Sequence, residues 1–274
     1  MSAASALVAT FMCASLVGCD GGDDEVGKSP VKIAPSVDVG TITGRVTHSG
    51  TVPQLKDFDI TSNADICGTA AKNNLLELGP DNAIVGAVVY VDAVGDERVD
   101  DAATTMRQVG CQYVPHVIVA APGSEVRFVN DDATQHNVRV EDIVTKEIVL
   151  NLAQSSKGAV DVWKVPGPGE YAVGCDYHPW MNANVLALST RHFAITDSTG
   201  RFTIRDVPVG ARAVAFWHGG IDVDEKRDTD GRLIGYRISK PIALSLATVD
   251  VTKGTTQNID RSIDLNEQST RSAK

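Results

Sequence analysis

The stretch GEYAVGCDYHPWM, residues 169–181, constrains this chain more than any other, because a period-two run ends in a short loop carrying a thiol, an imidazole and a thioether. Tyr171 and Val173 alternate onto the face that Cys175 continues, so the cysteine leaves a strand pointing inward. His178 follows, Pro179 restricts the backbone behind it, and Met181 closes the loop. Upstream, the turn-rich run NDDAT, residues 130–134, precedes His136 at the head of a second strand, HNVRV. Two strand ends are thus expected to converge on one point. A soft thiolate, borderline imidazoles and a weak thioether suit copper in both its common oxidation states. Zinc is disfavoured by a methionine ligand, and a dinuclear copper centre would need a second cysteine in the loop. The competing readings are a degenerate site and a Cys175 consumed in a disulfide. Trp180, beside His178, would either cover a metal and restrict water or anchor the loop to a second domain.

The 274 residues, 43% hydrophobic and 22% charged, are ordinary for one or two globular domains. No segment sustains a 3.6-residue period over helix length. Alternating, valine-rich runs at residues 41–50, 83–94, 111–121, 124–130, 138–149 and 159–164 read as strands, so the chain is expected to be all-β. Residues 52–78 read as irregular, 96–105 as an acidic exposed loop, and 248–265 as the last strands before a disordered tail at 266–274. The acidic run DVDEKRDTDG, residues 222–231, fails the EF-hand template, since Lys226 and Arg237 fall where carboxylates are needed; it reads as a solvated hairpin tip. Of the other histidines, His48 is expected exposed at a strand end, and His116 is either a satisfied buried group or an accessory to the site. His192 and His218 default to packing or surface roles. A net charge of -10 speaks against nucleic acid and suits docking to a basic redox partner. No catalytic motif is present, so an enzyme is not expected.

Residues 1–18 are apolar or small throughout and read as an export signal, too short for a confident membrane span. Leu16-Val17-Gly18-Cys19 resembles a bacterial lipobox, which implies cleavage before Cys19 and a lipid on its thiol; the absence of Lys or Arg ahead of the apolar run departs from that pattern. The alternatives are a plain cleaved signal or an uncleaved anchor. Residues 19–40, acidic with Gly and Pro, read as a flexible tether. Beyond Cys19 the cysteines are Cys67, Cys111 and Cys175, an odd count. Pairing Cys67 with Cys111 leaves Cys175 for a metal in an oxidising compartment; two free buried thiols are the alternative.

The order His136-Asn137-Val138, with Cys175-x-x-His178-x-x-Met181 following a Gly-Glu-Tyr strand, resembles the cupredoxins, and CDYHPWM is most similar to the short ligand loop of the amicyanins. The resemblance covers residues 107–190. It implies a Greek-key β-sandwich holding one type 1 copper on His136, Cys175, His178 and Met181, with Asn137 bracing the ligand loop. The flanks resemble a carboxypeptidase-regulatory-like or transthyretin-like sandwich, with Gly40 to Val46 and Gly86 to Val91 as its first half and residues 192–218 as its second. Such pairings resemble exported bacterial proteins labelled methylamine-utilisation-like. The expected layout is an N-terminal β segment at 41–106, a cupredoxin domain at 107–190 and a second sandwich segment at 191–265, which is either split around the cupredoxin or follows it as a separate domain. The expected function is one-electron transfer in the periplasm or cell envelope, lipid-anchored to a membrane, with a cytochrome or dehydrogenase as redox partner. The alternatives are copper storage or delivery, and a non-redox envelope binding module.

Overall fold

The computed structural model describes residues 38–91, 103–238 and 242–266. The expected signal, Cys19 with its lipid, nearly all of the tether, most of the acidic 96–105 loop and the tail from residue 267 lie outside the described residues. The protein is all-β; helical structure includes one short α-helix, Ala64–Cys67, and one 3-10 turn, Pro80–Asn82, and Leu265 and Asn266 are helical too.

Two sheets enclose the first core. One orders its strands Ile148–Gln154, His136–Asp142, Gly169–Gly174, Asn182–Ala187 and Val117–Ala120, all antiparallel except the last pair. The other orders Val160–Lys164, Glu125–Asn130, Thr104–Gln108 and Tyr113–Val114, with the middle pair parallel. Alternation decides which side chains enter. In Glu125–Asn130, Val126 and Phe128 are buried while Glu125 and Arg127 are exposed. Phe128, Val138, Val140, Trp163, Tyr171 and Val173 meet in the resulting core, and Cys175, Trp180 and Met181 belong to the same cluster. Burial of each large apolar side chain there stabilises the fold by about 1.5–3 kcal/mol.

The second sandwich draws strands from both sides of the first. Val39–His48 pairs antiparallel with Arg201–Pro208 and parallel with Thr256–Asn258 and Arg261–Ile263. Val88–Val91 lies between Phe193–Ile195 and Gly210–His218, and the latter also pairs with Ile242–Val251. These strands come from residues 39–91 and 193–263, on either side of 104–187 in sequence, and they share a core that holds Ile42, Val46, Val89, Phe202, Ile204 and Phe216. Gly44 permits a close approach here, since a Cβ would stand 2.0 Å from the Ile259 carbonyl oxygen.

The two sandwiches touch through Asn182–Ala187, a strand buried at every residue. Ala183, Val185 and Ala187 face the first core, while Leu186 packs with Val88, Leu188 and Trp217. Double-sided burial explains why Asn182 and Asn184, which alternate with Ala183 and Val185, are buried as well.

Several local expectations need correction. His48 is buried, at 3% exposure, because Arg261–Ile263 pairs alongside it; its Nε2 lies 3.1 Å from the Thr51 carbonyl. His192 and His218 need no correction: both are buried, which is the packing alternative given for them. The run 111–121 is not one strand: Cys111 sits in a turn at φ 56°, and a cis Val114–Pro115 bond separates Tyr113–Val114 from Val117–Ala120. Residues 52–78 carry the α-helix and the short pair Phe58–Asp59 with Ala70–Ala71. Residues 222–231 do lie in an exposed hairpin, and they supply one of its arms as well as its tip, Val223–Arg227 pairing with Leu233–Ile238.

Candidate metal centre

His136 opens its strand and Cys175 follows directly on Gly169–Gly174. These strands are neighbours, Arg139 opposite Gly174, so both side chains emerge at one end of the sheet. His178 turns back from the loop, which is closed by the Met181 N–H donating to the His178 carbonyl at 2.9 Å. Nδ1 of His136 lies 2.8 Å from Nδ1 of His178, and Cys175 Sγ lies 3.8 Å from His178 Nδ1. All three residues are buried, the two histidines at 0% exposure, and their donor atoms fall within 4.8 Å of one another.

The outer nitrogens assign the protons. His136 Nε2 stands 2.9 Å from Asp132 Oδ2, and His178 Nε2 stands 3.0 Å from Asn63 Oδ1. Each partner oxygen is an acceptor, so each ring carries its proton on Nε2 and presents a bare Nδ1 lone pair. Two lone pairs face each other at 2.8 Å beside a sulfur, an arrangement that calls for a cation. A proton is a poor candidate. Burial pushes His178 down to about 4, with His136 adding to the effect, and burial lowers His136 too against the opposing pull of Asp132. Burial also pushes the Cys175 thiol up, partly offset by backbone N–H groups, of which Asn137 N–H lies 3.3 Å from the sulfur. A thiolate here needs a counter-charge at the same point, which a soft metal ion supplies while displacing the thiol proton.

The surrounding groups hold this geometry. Asp132 accepts the N–H groups of Gly110 and Cys111 at 2.7 and 2.8 Å besides that of His136, and its own N–H donates to Asn130 Oδ1. Asn137 Oδ1 accepts the Asp176 N–H at 2.6 Å, and its amide donates to Asn151 Oδ1, tying the His136 strand to the ligand loop. The Tyr113 hydroxyl lies 2.9 Å from the Asn137 carbonyl and 3.0 Å from that of Gly174, strapping the two strand ends together. Trp180 packs on His178, ring centroids 5.1 Å apart, and its Nε1–H donates to the Cys111 carbonyl, so it anchors the loop within its own sandwich and not to the second one. Cys67 and Cys111 are joined in a disulfide that places the helix Ala64–Cys67 against the site, while Cys175 is free. Met181 is buried at 2% exposure in the core cluster that contains Cys175.

Asp132, Asn63 and Tyr113 were not nominated from the sequence. Asp132 had a usable signal, four residues before His136 inside a turn-rich run. Asn63 had none, being 115 residues from the histidine it holds.

No family model and no curated relative matches this chain. Among solved structures it is similar to a Cu-containing nitrite reductase from Thermus scotoductus SA-01, at 25% identity over 36% of this chain, TM-score 0.29; the chain spans 25% of that protein. It is also similar to a purple cupredoxin from Nitrosopumilus maritimus, at 21% identity over 31% of this chain and 99% of that one, TM-score 0.27. Amicyanin from Paracoccus versutus is similar at 17% identity over 36% of this chain and 98% of its own, TM-score 0.29.

Proposed function

We propose that the first sandwich, inserted between two halves of the second, is a cupredoxin-type copper module and that the protein carries single electrons outside the cytoplasm. The convergence of two bare Nδ1 atoms and the Cys175 sulfur carries this reading, since both imidazole tautomers are set by partners that leave those lone pairs unused. His136 and His178 would serve as equatorial ligands, Cys175 as the thiolate and Met181 as the weak axial group. When bound, copper supplies a reversible one-electron couple. The chain's own contribution is rigidity: Asn137, Tyr113 and Asp132 hold the donors in one arrangement for both oxidation states. Export is supported by the Cys67–Cys111 disulfide. A lipid on Cys19 and a protein redox partner, a cytochrome or a dehydrogenase, complete the proposal.

Copper storage is the second reading, and the complete burial of both imidazoles favours it. Adding one equivalent of Cu(II) and recording visible and EPR spectra tests the main proposal. An intense thiolate-to-copper band with narrow copper hyperfine splitting is expected, and Cys175→Ser should abolish it. Loss of the band with retained binding of Cu(I) would turn the assignment to storage.

A further inference from the structure

A cavity of about 560 Å³ lies where the sandwiches meet, away from the metal centre. Its wall is mostly apolar, with Leu75, Val117, Val119 and Phe193 among the lining residues, and two histidines interrupt it, His116 and His218. Their ring protons can be placed from their partners. Asn182 Nδ2 donates to the Trp180 carbonyl at 2.9 Å, which turns its Oδ1 toward His116 Nε2, 2.7 Å away. His116 therefore gives its Nε2–H to Asn182 and keeps an Nδ1 lone pair. His218 Nδ1 accepts the Gly220 N–H at 3.2 Å, so its proton sits on Nε2, which has no partner among the described residues. The apolar wall thus carries one acceptor and one donor, on rings close enough for His116 to help keep His218 neutral.

A hydroxyl answers both groups, accepting from His218 and donating to His116. A carboxylate would meet only one donor, two uncharged rings and the Glu77 side chain of the same wall. The volume lies within the range of small-molecule sites. We propose that this cavity binds a small, largely apolar alcohol or phenol whose hydroxyl rests on His116 and His218. Binding would be felt at the metal loop, because Asn182 links His116 to the Trp180 carbonyl and Trp180 packs on His178.

The test is titration of the full-length, metal-free chain with 2-naphthol and with 2-methoxynaphthalene, which keeps the rings and oxygen but has no proton to give. Saturable one-to-one binding of 2-naphthol is expected, with the ether weaker by about tenfold. Imidazole ¹⁵N signals of His116 and His218 should move with the titration, and His116→Phe and His218→Phe should each weaken 2-naphthol by a similar factor. Equal affinity for the two probes, histidine signals that stay still, or no saturable binding would overturn the proposal. The probe comparison and the nitrogen signals use the native chain, so they decide the matter even if a variant fails to fold.

Discussion

Replacing Asp132 by asparagine probes the group that sets the His136 tautomer. The carboxylate accepts three N–H groups, with Gly110 on one oxygen and Cys111 and His136 on the other. An amide has one oxygen. If that oxygen takes the place facing Cys111 and His136, the NH₂ meets the Gly110 N–H, and a part-buried backbone donor on an exposed glycine loses its acceptor at a cost of about 0.5–1.5 kcal/mol, since water can reach it. In the opposite orientation the NH₂ confronts both Cys111 N–H and His136 Nε2, which is worse for the fold and would drive the ring proton onto Nδ1. The first orientation should win, so the variant folds with reduced stability and a ring that no longer leans on a charge. Loss of such a partner costs about 10- to 100-fold in metal affinity, or about 1.4–2.7 kcal/mol. Competition for Cu(I) against a chromophoric chelator, beside urea unfolding of the metal-free form, measures both effects. A folded variant whose Cu(I) affinity matches the native value within twofold would refute the claim that Asp132 holds His136 for a metal.

Met181→Leu should keep the charge-transfer band and shift the reduction potential, read by voltammetry; an unchanged potential would remove Met181 from the ligand set. Cys67→Ser should lower stability by about 4 kcal/mol for a closed loop of this length, seen as a lower urea midpoint with an unaltered β spectrum. Acid should destabilise the metal-free fold through His218, which burial holds at about 4 against an ordinary 6.5. The unfolded chain takes up the proton first, so this contribution is intact above pH 6.5 and falls by about 3 kcal/mol as pH drops to 4. His218→Phe should flatten that part of the pH–stability curve, and an unchanged slope would contradict it.

Local chemistry was legible in the sequence where spacing and strand periodicity act together. Cys175 inherits its direction from Tyr171 and Val173 and lies buried beside the histidines as that alternation requires. The all-β class followed from the same periodicity. What pairing decides was harder to see. His48 is buried by a strand more than 200 residues away, and nothing near it in sequence reports that. Asn182–Ala187 looks unremarkable as NANVLA because its burial depends on a second sheet arriving from elsewhere in the chain. Asp132 lay within reach, but its role depends on Gly110 and Cys111 at positive φ, which turn their N–H groups to the carboxylate.

Asn63 sits on the outer nitrogen of His178, and neither the His136 nor the His178 imidazole touches solvent. An ion held there would exchange with the bulk only when the segment around residues 63–67 lifts, so its residence time is set by a local opening rather than by bond strength alone. The Cys67–Cys111 bond pins that segment at its far end. The cover of the site is thus tied covalently to the turn at Cys111, whose N–H also holds Asp132.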